Sequence, residues 1–346
     1  MAWRFTIERG AAIAVTPMGR SPERRSGSVR RTSSIDTRWP SGLGRPTLMR
    51  GCARDLLTDW DGGMRVLALD DFEIVAAPDG EILAITTNRG NTGAQGLVGH
   101  RGGGRLRTAI AEHLPDELAQ CTPLHLLLDD YTGAQMVSAG GWMPWDAQWM
   151  ETRKAAGVPL TAGRKGRMDS VCIGFAPGSS ALLPDGSANQ RISSHVPVPP
   201  LPAPDDPSGW HDLPGEIEVR HRRARRMDVW QDDVVHIDAS FQDSAMSPTG
   251  GSIGIHEYRV FATASPDHQV LLSLRATPHV LPYRECPAAV ENIHRLLGTE
   301  IGTLRQQVRH VLPGTLGCTH LNDVLRMLAD VPALVRALRD QARHVC

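Results

Sequence analysis

Val235-His236-Ile237-Asp238-Ala239-Ser240-Phe241-Gln242 alternates strictly: Val235, Ile237, Ala239 and Phe241 fall on one side, the polar residues on the other. Successive side chains of a strand point to opposite faces, so a period of two predicts a half-buried β-strand. On that reading His236 and Asp238 face water and do no chemistry. Residues 255–263 form the next strand, with His256 on the apolar face beside Tyr258, Val260 and Ala262. A histidine there is either a satisfied core residue or a ligand aimed into a pocket. Pro266-Asp267 turns the chain into a third strand at 269–276. Upstream, Arg220, Arg222, Arg223, Arg225 and Arg226 lead into Met227-Asp228-Val229-Trp230. So many cations predict a solvated edge strand.

Helices follow the strands. Arg284-Glu285-Cys286-Pro287 opens a helix at 288–297, and another covers 301–312. The last begins in Gly317-Cys318-Thr319-His320-Leu321-Asn322-Asp323, where Leu321, Val324, Leu325 and Leu328 share a face. Thr319 is the predicted N-cap. Cys318 and Cys286 therefore both sit at helix starts, where free N–H groups and the helix dipole favour a thiolate. The fold class is α+β: an antiparallel β-meander followed by helices.

The first half repeats this plan in reduced form. Phe72–Ala76 and Glu81–Ile85 flank the turn Pro78-Asp79-Gly80, and helices are expected at 105–113 and 122–130. Leu106-Arg107, Leu114-Pro115, Cys121-Thr122 and Leu124 echo Leu304-Arg305, Leu312-Pro313, Cys318-Thr319 and Leu321 at an offset of 197 or 198, and Pro78-Asp79 echoes Pro266-Asp267 at 188. Preserved order at a nearly constant offset predicts a degenerate internal duplication. In it Asp70-Asp71-Phe72 takes the place of His256-Glu257-Tyr258. Four regions result. Residues 1–50, with ten arginines and three acids, form a disordered basic tail or an extension from an upstream start. Residues 51–175 are the first copy, 176–219 a linker with many prolines, and 220–346 the second copy carrying the site.

Composition narrows the function. A net charge of −1 gives no pull towards nucleic acid or an anionic membrane surface. No apolar run reaches the ~18 residues of a membrane span. Six cysteines without framework spacing fit reduced thiols in a cytoplasmic protein. The partner implied is a small molecule or another protein.

Residues 221–338 resemble the domain-of-unknown-function family 2889. The resemblance rests on Arg225-Arg226-Met227, His236-Ile237-Asp238 with Asp243, Ile255-His256-Glu257-Tyr258, Cys286-Pro287 and Gly317-Cys318-Thr319-His320-Leu321. Family members usually carry His-Asp-Met where this chain has His256-Glu257-Tyr258. The order of strands and thiol-bearing helix starts is also similar, more distantly, to iron–sulfur cluster scaffold proteins. That likeness would place His256-Glu257, Cys286, and Cys318 with His320 at the cluster ligands.

Two thiolates and two imidazoles suit tetrahedral zinc, with iron as second choice. His256, Cys286, Cys318 and His320 are thus the candidate metal ligands, and Glu257 or Asp323 the candidate general base. The competing reading is a metal-free enzyme. There Cys318 or Cys286 is the nucleophile, His256 or His320 the base, and Asp323 or Glu257 the orienting acid. A protein-interaction domain with incidental thiols is the third.

Overall fold

Strand β1 (Ser28–Arg38) pairs along its whole length with two neighbours, β2 (Thr47–Thr58) on one side and β6 (Arg220–Gln231) on the other, both antiparallel. A computed structural model describes residues 14–344 except 91, 158–166, 191–192 and 268. The sheet runs outward from β1 through β2, β3 (Met64–Ala76) and β4 (Ile82–Thr87). On the other side it runs through β6, β7 (Val235–Met246) and β8 (Ser252–Ala264). The short β5 (Val196–Val198) and the longer β9 (Leu271–Val280) both pair with β8. Among the described residues, nine antiparallel strands and the helices give the predicted α+β class.

Each half contributes a four-stranded meander followed by helices. The first half supplies α1 (Gly104–His113), α2 (Pro115–Gln120) and α3 (Pro123–Val137), then α4 (Trp149–Ala155). The second supplies a run of 3-10 turns at Cys286–Leu296, then α5 (Leu304–Val311), α6 (Thr319–Met327) and α7 (Val331–His344). The Pro78-Asp79-Gly80 turn forms as predicted between β3 and β4. Its left-handed Gly80 (φ +82°) has a carbonyl that accepts from the Tyr131 hydroxyl at 2.9 Å.

Helices cover one face of the sheet. Beneath them lie two apolar cores, one around Phe72, Ile74, Leu124 and Leu127, the other around Phe241, Tyr258, Leu321 and Val324. Fully burying a side chain of this size stabilises by roughly 1.5–3 kcal/mol. Buried ion pairs tie the two halves across the same face. Arg31 of β1 meets Asp55 at 2.6 Å and Asp330, between α6 and α7, at 2.9 Å. Asp130 of α3 pairs with both Arg223 and Arg225 of β6. Asp129 of α3 reaches Arg326 of α6 at 2.6 Å.

Several expectations fail here, some of them because the second face of the sheet is also covered. Asp238 is buried and held by Arg226 and Arg259. The arginine-rich strand is central, because aspartates on facing strands and helices neutralise its cations. His236 is half-buried, stacked on Trp230 and bonded to Asp232. The segment expected as a linker straps this face, with Trp210 buried and His211 bridging Thr32 and Ser34 at 2.9 and 2.8 Å. The tail expected at 1–50 instead contains the strand joining the two halves. Residues 1–13 of it lie outside the described residues. One continuous sheet thus spans the boundaries drawn from composition. The N-cap of α6 is Cys318, not Thr319.

Candidate metal centre

Alternation along β7 carries Asp243 onto the helix-covered face two residues beyond Phe241. On β8 its register partner is His256. From above, the first turn of α6 lowers His320 onto the pair. Asp243, His256 and His320 are buried, and one ligand atom from each lies within 4.8 Å of the others. His256 Nδ1 is 3.1 Å from Asp243 Oδ2, and His320 Nε2 is 3.6 Å from the same oxygen. An ionised carboxylate only accepts, so His256 Nδ1 donates that bond. The two imidazoles stack, centroids 3.5 Å apart and planes 18° apart.

Burial alone would raise the Asp243 carboxyl. Arg223 and the His256 hydrogen bond overcome it and hold Asp243 well below the usual carboxylate range. Burial, with His256 beside it, pushes His320 well below its ordinary value, so its ring is neutral. Behind Asp243 stands fully buried His221, 3.8 Å from Oδ1 and lowered by burial to about 4. Asp243 Oδ1, His320 Nε2 and both ring nitrogens of His221 are buried without a hydrogen-bond partner among the described residues. Buried polar atoms are nearly always satisfied, and four of the exceptions belong to Asp243 and the histidines beside it.

The other residues singled out from sequence are dispersed around this centre. Cys318 Sγ lies 3.8 Å from His320 Nδ1, on the side away from Asp243. Cys286 is buried against Cys172: a Cβ added at Gly174 would fall 2.8 Å from Cys286 Sγ and 3.7 Å from Cys172 Sγ. Cys286 and Cys318 line the same cavity as His256 and His320. The thiolate expectation is reversed. Burial pushes the Cys318 thiol up despite hydrogen bonds from the Leu321 N–H and the Tyr258 hydroxyl, and pushes Cys286 well above its ordinary value. Cys172 is raised by burial to about 12. An N-cap position lowers a thiol only when desolvation does not outweigh it.

Glu257 points to the opposite face of β8. There it accepts from Gln242 Nε2 at 2.7 Å and from the Met18 backbone N–H at 2.9 Å. Asp323 receives Arg223 at 2.5 Å and Arg326 at 3.4 Å. Neither lines the cavity. Sequence reasoning passed over Asp243, His221 and Cys172 as site residues. A signal for Asp243 was present, since extending the apolar face of β7 by one step meets a carboxylate. His221 was equally legible once β6 was assigned its inward face. Cys172, in an irregular loop, gave none.

One family model matches part of the chain. Residues 221–334 match the family described as protein of unknown function (DUF2889). A search of curated proteins found no match. A crystal structure of a lipopolysaccharide binding protein is similar at 9% identity over 75% of this chain and 85% of its own, with a TM-score of 0.12, which carries no argument. Nothing in them supports the likeness to iron–sulfur scaffolds, and the residues that converge here are a carboxylate and two imidazoles. What the comparisons establish is that the second meander and its helices, the part bearing Asp243, His256 and His320, match a family of unknown function.

Proposed function

We propose that Asp243, His256 and His320 hold one divalent metal ion, zinc or, as second choice, iron. The observation that carries this reading is the convergence of three buried ligand atoms within 4.8 Å, with unpartnered polar atoms around them. The separations of 3.1 and 3.6 Å bracket the ligand–ligand edge of about 3.3 Å implied by a tetrahedron with metal bonds near 2.0–2.1 Å. The stacked rings must splay from their 18° angle for both nitrogens to aim at one ion. Two imidazoles and a carboxylate leave at least one position open, the pattern of catalytic zinc and of non-haem iron sites. His256 and His320 border the cavity, and the reading puts the open position on that side; Cys318 borders the same cavity across the His320 ring from Asp243 and is not a ligand. We read the site as one that binds and polarises a small molecule rather than a closed structural clasp.

The test is elemental analysis of full-length protein purified without chelator and without immobilised nickel. About one equivalent of zinc or iron is expected in wild type and a fraction of it in His320→Ala. Absence of metal from wild type prepared anaerobically would end the reading. One observation favours a thiol enzyme instead: Cys318, His320 and Asp243 form a chain with links of 3.8 and 3.6 Å. The burial that keeps Cys318 protonated weighs against it. Rapid alkylation of Cys318 at neutral pH would restore that reading.

A duplicated plan would divide the labour between the two halves. Arg31 faces Asp55 in the β1–β2 register as Arg223 faces Asp243 in β6–β7. On the next strand, Asp243 meets His256 where Asp55 meets Ala68. Ala68, not Asp70-Asp71-Phe72, therefore holds the His256 position. We infer a shared plan in which the first half keeps the ion pair and lacks the ligands.

A further inference from the structure

The metal reading leaves open what the cavity above the ion receives. Its volume is about 150 Å³. Met136, Met143, Phe175, Ile255 and Tyr283 form its walls. His256, His320 and Cys318 belong to the same lining, so two of the three ligand residues border the cavity and Asp243 lies behind them. An apolar cavity of about 150 Å³ is large enough to hold benzene. The methionine walls adapt to the outline of a guest because thioether side chains are unbranched and polarisable.

The charge around the ligand triad fixes the other end of the guest. The two imidazoles are neutral when they ligate. Asp243 contributes one negative charge and already shares it with Arg223 at 3.5 Å. A divalent ion there leaves a net positive centre at the edge of an apolar space. Such a centre favours an anionic head over a neutral one. A second cation lines the cavity: Arg153, buried and lowered by burial to about 10.

We propose that the cavity binds a small monoanion with a benzene-sized apolar body, its head on the ion held by Asp243, His256 and His320. The head assignment rests on the metal reading; the body assignment rests on the cavity alone. The probes are 4-fluorobenzoate, fluorobenzene and fluoroacetate, titrated into full-length protein and followed by 19F NMR, with and without one equivalent of zinc. With zinc, 4-fluorobenzoate should bind about tenfold or more tightly than fluoroacetate, the scale of burying one small apolar group. It should also bind more tightly than fluorobenzene. Removing zinc should bring 4-fluorobenzoate down to the level of fluorobenzene, whose own binding should not change. Ala188→Phe, which places bulk in the cavity lining, should abolish binding of both aromatic probes while zinc content is kept. Met143→Trp serves if Ala188→Phe fails to fold.

Stoichiometric zinc with no binding of either aromatic probe overturns the proposal and leaves the metal reading standing. Fluorobenzene binding without any zinc uptake overturns the head assignment together with the metal reading and supports the body. Equal 4-fluorobenzoate binding with and without zinc, lost in Arg153→Met, moves the head to Arg153 and overturns its assignment to the ion.

Discussion

Asp243→Asn tests the centre most directly, because it removes a charge while keeping the shape of a fully buried side chain. Without metal the cost should be modest. Arg223 is not stranded, since it keeps Asp130 at 2.7 Å and Asp323 at 2.5 Å. What is lost is the charged hydrogen bond from His256, worth about 1.5–3 kcal/mol. With metal the difference widens. A ligand at 100 times its Kd stabilises the folded state by about 2.7 kcal/mol. At about 2–4 °C per kcal/mol for proteins somewhat smaller than this one, wild type should melt roughly 5–10 °C higher in zinc. The variant should gain less than about a quarter of that shift at the same zinc concentration, its neutral amide being a much weaker ligand. The assay is a pair of thermal melts, with and without zinc, on each protein. An equal zinc shift in both removes Asp243 from the ligand set. Zinc that raises neither melting point refutes the site.

Asp130→Asn should cost more than Asp243→Asn in metal-free protein, about 3–5 kcal/mol by urea unfolding, because Asp130 serves two buried arginines at once; a smaller cost than Asp243→Asn would refute that account of the cross-half network. Burial lowers His211 to about 3, and His125 and His221 to about 4. Each is buried neutral, so the unfolded chain takes up a proton below pH ~6.5 that the fold refuses. The stability is whole above that pH and is lost as pH falls towards 4, at about 1.4 kcal/mol per unit for each histidine; unfolding free energies from pH 7 to 4.5 should show this slope, and His211→Gln should remove about one proton's worth of it. Deleting residues 1–38 removes β1 and separates β2 from β6, so cooperative melting should be lost; an unchanged melting temperature would mean that the two halves do not depend on their shared strand.

The local signals were strong where the structure is local. Alternation along β7 and β8 specified two strands and placed His256 on the inward face. The Pro78-Asp79-Gly80 turn specified a hairpin, and the Leu321, Val324, Leu325, Leu328 spacing specified α6, whose opening residues carry Cys318 and His320. Each depends on the chemistry of a few consecutive residues, which the sequence states outright. Tertiary structure decided everything that depends on what lies across the sheet. The charges of β1 and β6 read as solvated, because only the facing aspartates from β2, β7, α3 and α6 show that they are neutralised and buried. Asp238 read as exposed because period two reports which residues share a face, not whether that face is covered. The thiols read as reactive because the N-terminal position is visible in sequence and the desolvation that outweighs it is not. Asp243 emerged as the hub of the centre only when register set it opposite His256 and α6 brought His320 down on both. Those contacts span 13 and 77 positions, distances over which the linear chain carries no physical interaction.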